Sequence, residues 1–357
     1  MIVLKELYTE KTNKSCQGPG ENISVLMAAY YNYTIVLFAG LAHNKKKLID
    51  DIINGKKQII NIRQPPKGRR KTMNVKKYKF TGEKNFDINS FDTSDTGDFS
   101  GKEDALDLIE KNLKSMEEYQ DKLYAEGKNG ILIIFQAMDA AGKDGAVKHI
   151  FSGLNPQGVD VYSFKQPSAE ELMHDYLWRA HKVLPQKGKI AIFNRSYYED
   201  VLIAKVHKLY KFQNLPERCK GDDVIEKRYK QIADFEEYLW ENGITVIKFF
   251  LHISSGEQKK RFMDRIEDKS KNWKFSKSDM LEREYWKDYQ DAYEKAINAT
   301  ATERSPWYVI PSDKKWFART LISEIFVKAL KELDPQYPEL SKEAEQELQD
   351  CRKTLLE

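Results

Sequence analysis

Five short, largely apolar runs recur along this chain, at residues 131–135, 159–164, 189–193, 245–253 and 307–310, with amphipathic stretches between them. A strand that is apolar at nearly every position must be covered on both faces, and consecutive parallel strands need a helical crossover. The alternation therefore predicts an α/β fold: a three-layer α/β/α domain around a five-stranded parallel sheet. Ahead of the first run, Ala105, Leu106, Leu108, Ile109, Leu113, Met116, Tyr119 and Leu123 recur at three- and four-residue steps. That spacing predicts a helix over 103–126, stopped by Gly127 and Gly130. No internal repeat is evident.

The first apolar run leads directly into Gln136-Ala-Met-Asp-Ala-Ala-Gly-Lys-Asp-Gly145. Ala137 and Gly142 have the separation of a phosphate-binding loop, and Lys143 follows as that pattern requires. In such a turn the backbone N–H groups of Ala140, Ala141, Gly142, Asp144 and Gly145 face a phosphate, and the next helix adds the positive end of its dipole. Lys143 then supplies a point charge to a transferring phosphoryl group. Two positions depart from the pattern: Ala137 replaces the first glycine, and Asp144 replaces the Ser or Thr that normally holds a metal. Asp139, inside the loop, is the expected substitute ligand for a hard cation.

At the carboxyl end of the third run stands Phe193-Asn-Arg-Ser-Tyr-Tyr-Glu-Asp200. Parallel sheets bind ligands at such strand ends. Arg195 is placed to clamp phosphoryl oxygens. Glu199 and Asp200 are placed either to hold metal or an acceptor, or to complement a helix dipole.

The formal net charge of +4 averages two unlike parts. Residues 1–72 hold 13 Lys and Arg against five acids, and the remainder is acidic. A polyanion would thus be bound through a local basic channel and not by the overall field. Residues 1–72 are expected to be a basic, disordered extension or an over-extended gene model beginning before Met73. Residues 23–42 are uncharged and of spanning length, but their tyrosines and Asn32 keep the hydropathy moderate, so no membrane anchor is expected. The phosphotransferase domain is assigned to 73–340 and a helical tail to 341–357. Cys16, Cys219 and Cys351 lie too far apart for a zinc site or a disulfide framework and suit a reducing cytoplasm.

Several segments together resemble the second polyphosphate kinase family, the polyphosphate:nucleotide phosphotransferases. They are the loop from Phe135 to Gly145, Gly153-Leu-Asn-Pro-Gln-Gly158, Ser163-Phe-Lys-Gln-Pro-Ser168, Asp175-Tyr-Leu-Trp-Arg179 and the segment ending at Asp200. Trp273-Lys-Phe-Ser276 with Asp279, and Pro306-Trp-Tyr-Val-Ile-Pro-Ser-Asp313 with Trp316, follow in order. The resemblance runs from about Tyr78 to Leu333.

It implies a P-loop kinase-like fold with a helical lid, a Mg²⁺ requirement, and transfer of the terminal phosphoryl group of inorganic polyphosphate to AMP or ADP. Its alternatives are an ATP-dependent nucleoside monophosphate kinase and a non-catalytic polyphosphate- or nucleotide-binding protein. In many relatives the residue before the arginine is an Asp of Walker B type; here it is Asn194, in the version resembling the subgroup that accepts monophosphates as well as diphosphates. The expected roles are phosphoryl stabilisation for Lys143 and Arg195, Mg²⁺ for Asp139 with Asp200, and acceptor contact for Glu199. Lys148, Lys165 and Arg179 are candidates for the polyphosphate channel. Arg261, Arg265, Trp273, Lys274 and Phe275 form a segment suited to a lid that meets phosphates and stacks on a base. A cytoplasmic homo-oligomer, dimer or tetramer, without nucleic-acid partners is expected.

Overall fold

The computed structural model describes residues 73–356. Its sheet comprises β1 (Lys79–Phe80), β2 (Gly130–Gln136), β3 (Val159–Ser163), β4 (Ile190–Asn194), β5 (Ile244–His252) and β6 (Trp307–Pro311). They lie in the order β1–β6–β5–β2–β4–β3. The five expected strands, β2 to β6, are all parallel to one another. The expectation of five strands is corrected to six. β1 pairs antiparallel with β6, Lys79 opposite Tyr308 and Phe80 opposite Trp307. Two residues are too few to show an alternation in sequence, so only pairing defines this edge.

The main helices are α1 (Lys102–Glu126), α2 (Lys143–Ile150), α3 (Val224–Glu241), α4 (Ser255–Glu267), α5 (Trp286–Thr300), α6 (Lys315–Leu333) and α7 (Lys342–Leu356). α1 ends at Gly127, whose φ of 63° lets its N–H reach back to the Leu123 carbonyl at 3.1 Å. Strand parity sorts the helices into layers, because successive side chains point to opposite faces. Phe135 and Phe249 stack on each other, and Phe135 continues through Phe151 to Phe326, toward α2 and α6. On the other face Phe250 stacks on Tyr293 and Lys248 reaches Glu236, toward α5 and α3. α1 covers the first face beside α6, where Asn112 donates to Ser323 Oγ at 3.2 Å.

The chain leaves β2 for β3 and β4 on one side and returns to β5 on the other. The carboxyl end of β2 is thus a topological switch point, the usual ligand crevice of an open α/β sheet. All seven residues of β2 are buried. Residues 1–72, with the uncharged segment 23–42, lie outside the described residues. Among the described residues no helix is long and apolar enough to cross a membrane.

Candidate active site

The phosphate loop connects β2 to α2, and its shape depends on two left-handed residues, Ala140 (φ 61°) and Gly142 (φ 115°). A left-handed alanine is disfavoured, and such strain tends to mark functional turns. Here the surroundings hold it. Arg261 on α4 is buried and donates to the carbonyls of Ala140 and Ala141 at 3.0 and 2.7 Å. The same guanidinium also holds the carbonyls of Ser312 and Asp313, while Glu257 pairs with its Nε at 2.9 Å. Gln258 Nε2 donates to the Asp139 carbonyl at 2.9 Å. α4 can reach the loop because Ser254 caps it, accepting from the Glu257 N–H at 3.1 Å.

Lys143, the first residue of α2, folds back so that its Nζ donates to the Ala137 carbonyl at 2.8 Å. It is 9% exposed. Burial, and then the charge of Arg195, pull its pKa down from 10.5 to about 8, against the opposing pull of Asp139, Glu199 and Asp144. Arg195 (φ 63°) lies between two carboxylates: Nη2 is 2.7 Å from Asp139 Oδ1 and Nη1 is 3.3 Å from Glu199 Oε2. Glu199, then Asp139, hold its guanidinium firmly in the charged form against the cost of burial. With its amide turned so that both atoms are satisfied, Gln136 donates to Glu199 Oε1 at 2.9 Å. Asn194 Nδ2 donates to Asp144 Oδ1 at 2.7 Å, so two of the three positions that depart from the usual patterns touch each other.

The turn after Arg195 is anchored from below by a buried polar network. The hydroxyls of Tyr197 and Tyr198 both donate to Glu236 Oε1 at 2.9 Å. Glu236 in turn forms an ion pair with Lys248, and both side chains are wholly buried. Lys248 also donates to the Thr300 carbonyl at 2.8 Å. Burial opposes the charged form of this lysine while Glu236 supports it.

A narrow cavity of ≈ 30 Å³ opens over these groups, lined by Met138, Asp139, Arg195, Glu199 and Gln258 from below. Asp279, Glu282 and Arg283, from the segment after α4, close it with Tyr289 and Tyr293 of α5. Burial first, and then the negative charge of Asp139, raise the pKa of Asp279 above the usual carboxylate value. Arg265 stands 3.6 Å from Asp279.

The structure brings Asp139, Lys143, Arg195 and Glu199 into one constellation. It does not bring Asp200 there. That side chain is buried beside Arg228, 3.7 Å away, and accepts from Gln213 at 3.4 Å. Arg179 is 8% exposed, lies over the Phe164 ring and donates to the Lys165 carbonyl at 2.8 Å, whereas the side chains of Lys165 and Lys148 are exposed. Arg261 braces the loop instead of standing in the lid segment. Trp273 is 78% exposed, with Lys274 Nζ over its ring at 4.9 Å, and Phe275 follows at the surface. Sequence reasoning assigned no role to Gln258, Glu282, Arg283 or Tyr293. Of the lid-side acids only Asp279 had a signal, its place in a family segment.

The family described as Polyphosphate kinase 2 matches residues 100–338. The chain belongs to the polyphosphate kinase 2 family. It is 45% identical over 277 residues to the ADP-polyphosphate phosphotransferase of Rhodopseudomonas palustris, covering 77% of this chain and 96% of that one. It is also 45% identical, over 266 residues, to the AMP/ADP-polyphosphate phosphotransferase of Meiothermus ruber, covering 74% and 96%. The crystal structure of polyphosphate kinase 2 from Arthrobacter aurescens superposes with a TM-score of 0.67 at 41% identity, covering 74% of this chain and 92% of that chain. As a polyphosphate kinase 2, the chain carries its phosphate loop and its Asn-Arg-Ser-Tyr-Tyr-Glu turn inside the matched region, while α7 lies beyond it.

Proposed function

We propose that this chain transfers the terminal phosphoryl group of inorganic polyphosphate to AMP and to ADP, forming ADP and ATP. The observation that carries the reading is the juxtaposition of Lys143, Arg195 and Asp139 at the carboxyl ends of β2 and β4, in a relative of AMP/ADP-polyphosphate phosphotransferases. In the reaction an acceptor phosphate oxygen attacks the terminal phosphorus. The bridging P–O bond breaks, and a chain one phosphate shorter leaves with the electron pair. Positioning and cationic stabilisation supply most of the catalysis in such transfers. Lys143 sits at the loop for the transferring group. Arg195, held by Asp139 and Glu199, faces the same crevice, and Glu199 is assigned to the acceptor side.

A divalent ion, Mg²⁺ by our reading, fits this donor set. Among the described residues no group of three or more acidic, His or Cys side chains forms a cage. A magnesium ion needs only one or two carboxylates when phosphate oxygens and water complete its shell. Asp139 would hold it, joined by Asp279, whose pKa is raised by burial and then by the negative charge of Asp139. When bound, the ion neutralises charge on the phosphates. Asp200 remains with Arg228. The cavity is too small for a nucleotide, so acceptor entry requires the segment bearing Asp279 and Arg283 to move outward. The exposed thiols of Cys219 and Cys351 suit a cytoplasmic protein, and we read it as a homo-oligomer.

The test is a coupled assay with AMP and Mg²⁺, comparing polyphosphate with ATP as donor. Transfer from polyphosphate far exceeding transfer from ATP is expected. Equal or faster transfer from ATP would make the chain a monophosphate kinase, and none from either would make it a binding protein.

A further inference from the structure

The buried tyrosines around the site differ in how their hydroxyls are engaged. Tyr197 and Tyr198 donate to Glu236 Oε1 at 2.9 Å, and Tyr289 donates to Glu282 Oε2 at 2.7 Å. Tyr293 follows Tyr289 by one turn of α5. It is 3% exposed, yet its hydroxyl makes no hydrogen bond among the described residues. A buried hydroxyl left without a partner costs free energy in the empty protein. Tyr293 also lines the cavity over the site, together with Arg195 and Glu199.

Packing holds this side chain in place. Its ring stacks on Phe250 of β5 with centroids 4.4 Å apart, and Ala292, Ala296 and Ile297 of the same helix are buried with it. The end of α5 is tied to the sheet as well, since Thr300 Oγ1 accepts from the Tyr198 hydroxyl and from Trp307 Nε1, each at 2.9 Å. Tyr293 thus belongs to the fixed side of the cavity and not to the segment bearing Asp279 and Arg283. The surrounding charges decide what its hydroxyl can meet. Burial first, and then the negative charge of Glu199, push the phenol well above its ordinary range, with Arg195 opposing and Asp139 adding. It therefore stays protonated and can donate to an anionic oxygen. Glu199 itself is already engaged at both oxygens, by Arg195 and by Gln136.

We propose that the Tyr293 hydroxyl donates to the terminal phosphate of the acceptor, AMP or ADP, and so orients the oxygen that attacks polyphosphate. The inference rests on the phosphotransfer reading and adds a substrate-contacting residue to it. Position selects the acceptor over the donor. Lys143, at the loop for the transferring group, does not line this cavity. Glu199, on the acceptor side, acts on the phenol more strongly than Asp139 of the loop does.

The experiment compares the wild-type chain with Tyr293→Phe, which keeps the ring and its stack on Phe250 and removes only the hydroxyl. Each is titrated with AMP and with long-chain polyphosphate, in direct binding and in turnover. Phosphorus NMR of bound AMP and thermal unfolding of the empty protein accompany the titrations. The variant should raise Kd for AMP by roughly tenfold or more, since a hydrogen bond to a charged phosphate is lost. Its kcat/KM for AMP and for ADP should fall by at least that factor. Its Kd for polyphosphate should stay within about twofold, because the donor is held elsewhere. The phosphorus signal of bound AMP should differ between the two proteins. Tm should equal or exceed that of wild type, because no hydrogen bond of the empty protein is removed. AMP affinity equal to wild type, an unmoved phosphorus signal, an equal loss of polyphosphate affinity, or a Tm several degrees lower overturns the inference. If the wild-type chain does not bind AMP, or binds it without transferring to it, the phosphotransfer reading itself fails, a separate outcome visible before the variant is examined.

Discussion

Replacing Lys143 with methionine should make the protein more stable while abolishing its activity. The side chain is buried, and its pKa falls from 10.5 to about 8 on folding. At pH 7 the amine is protonated in both folded and unfolded chains, so the folded state carries a charge it disfavours. The shift corresponds to about 3 kcal/mol. Loss of the hydrogen bond to the Ala137 carbonyl returns about 1 kcal/mol, leaving a net gain near 2 kcal/mol for Lys143→Met. The sign follows from proton counting. Between pH 8 and 10.5 the unfolded chain holds the proton and the folded chain does not, so wild-type stability rises with pH through this window. The advantage of the variant should therefore shrink as pH rises from 8 and be gone near the ordinary lysine value. Urea denaturation of both proteins at pH 7 and near pH 10 measures it. Transfer by Lys143→Met should fall by roughly a thousandfold or more. A variant no more stable than wild type at pH 7, or a stability gap independent of pH, would refute this account of the buried lysine.

Asp139→Asn should lose most transfer, with partial recovery at high Mg²⁺, measured as the dependence of initial rate on the metal; recovery that is absent, with a lowered Tm, would indicate a structural role. Arg261→Met leaves buried loop and strand-end carbonyls without their donor, so unfolding free energy should drop by roughly 2–4 kcal/mol, checked by denaturant titration, and kcat should fall with the loop's shape. Lys248→Met strands the buried Glu236 carboxylate and should cost roughly 3–5 kcal/mol. Lys248→Met combined with Glu236→Leu should recover much of that loss in a double-mutant cycle, and strictly additive losses would contradict the coupling.

What could be read in advance was what repeats or sits at a strand end. The apolar runs located β2 to β6, because strands covered on both faces must be apolar throughout. Gly142, Lys143 and Arg195 were visible because the phosphate loop and the strand-end turn are local in sequence. Contacts between distant segments were not. Arg261 is 120 residues from Ala141, and nothing in its helix distinguishes a cation that braces a loop from one that meets a nucleotide. Arg179 read as a channel cation because sequence does not show that it lies buried over Phe164. Asp200 adjoins Glu199 in sequence, yet the turn directs it to Arg228 while Glu199 lines the cavity. Tyr197 and Tyr198 carried no assigned role, and their link to the Glu236–Lys248 pair depends on α3 and β5 packing together.

The central claim concerns where the transferred phosphorus comes from. Phosphorus NMR of AMP, Mg²⁺ and long-chain polyphosphate with the purified chain follows donor and acceptor together. The account predicts that the β-phosphate signal of ADP, and then the γ-phosphate signal of ATP, grow as internal polyphosphate units are consumed, with no orthophosphate released in proportion. Unchanged polyphosphate in the presence of AMP, or release of orthophosphate without nucleotide products, would contradict it.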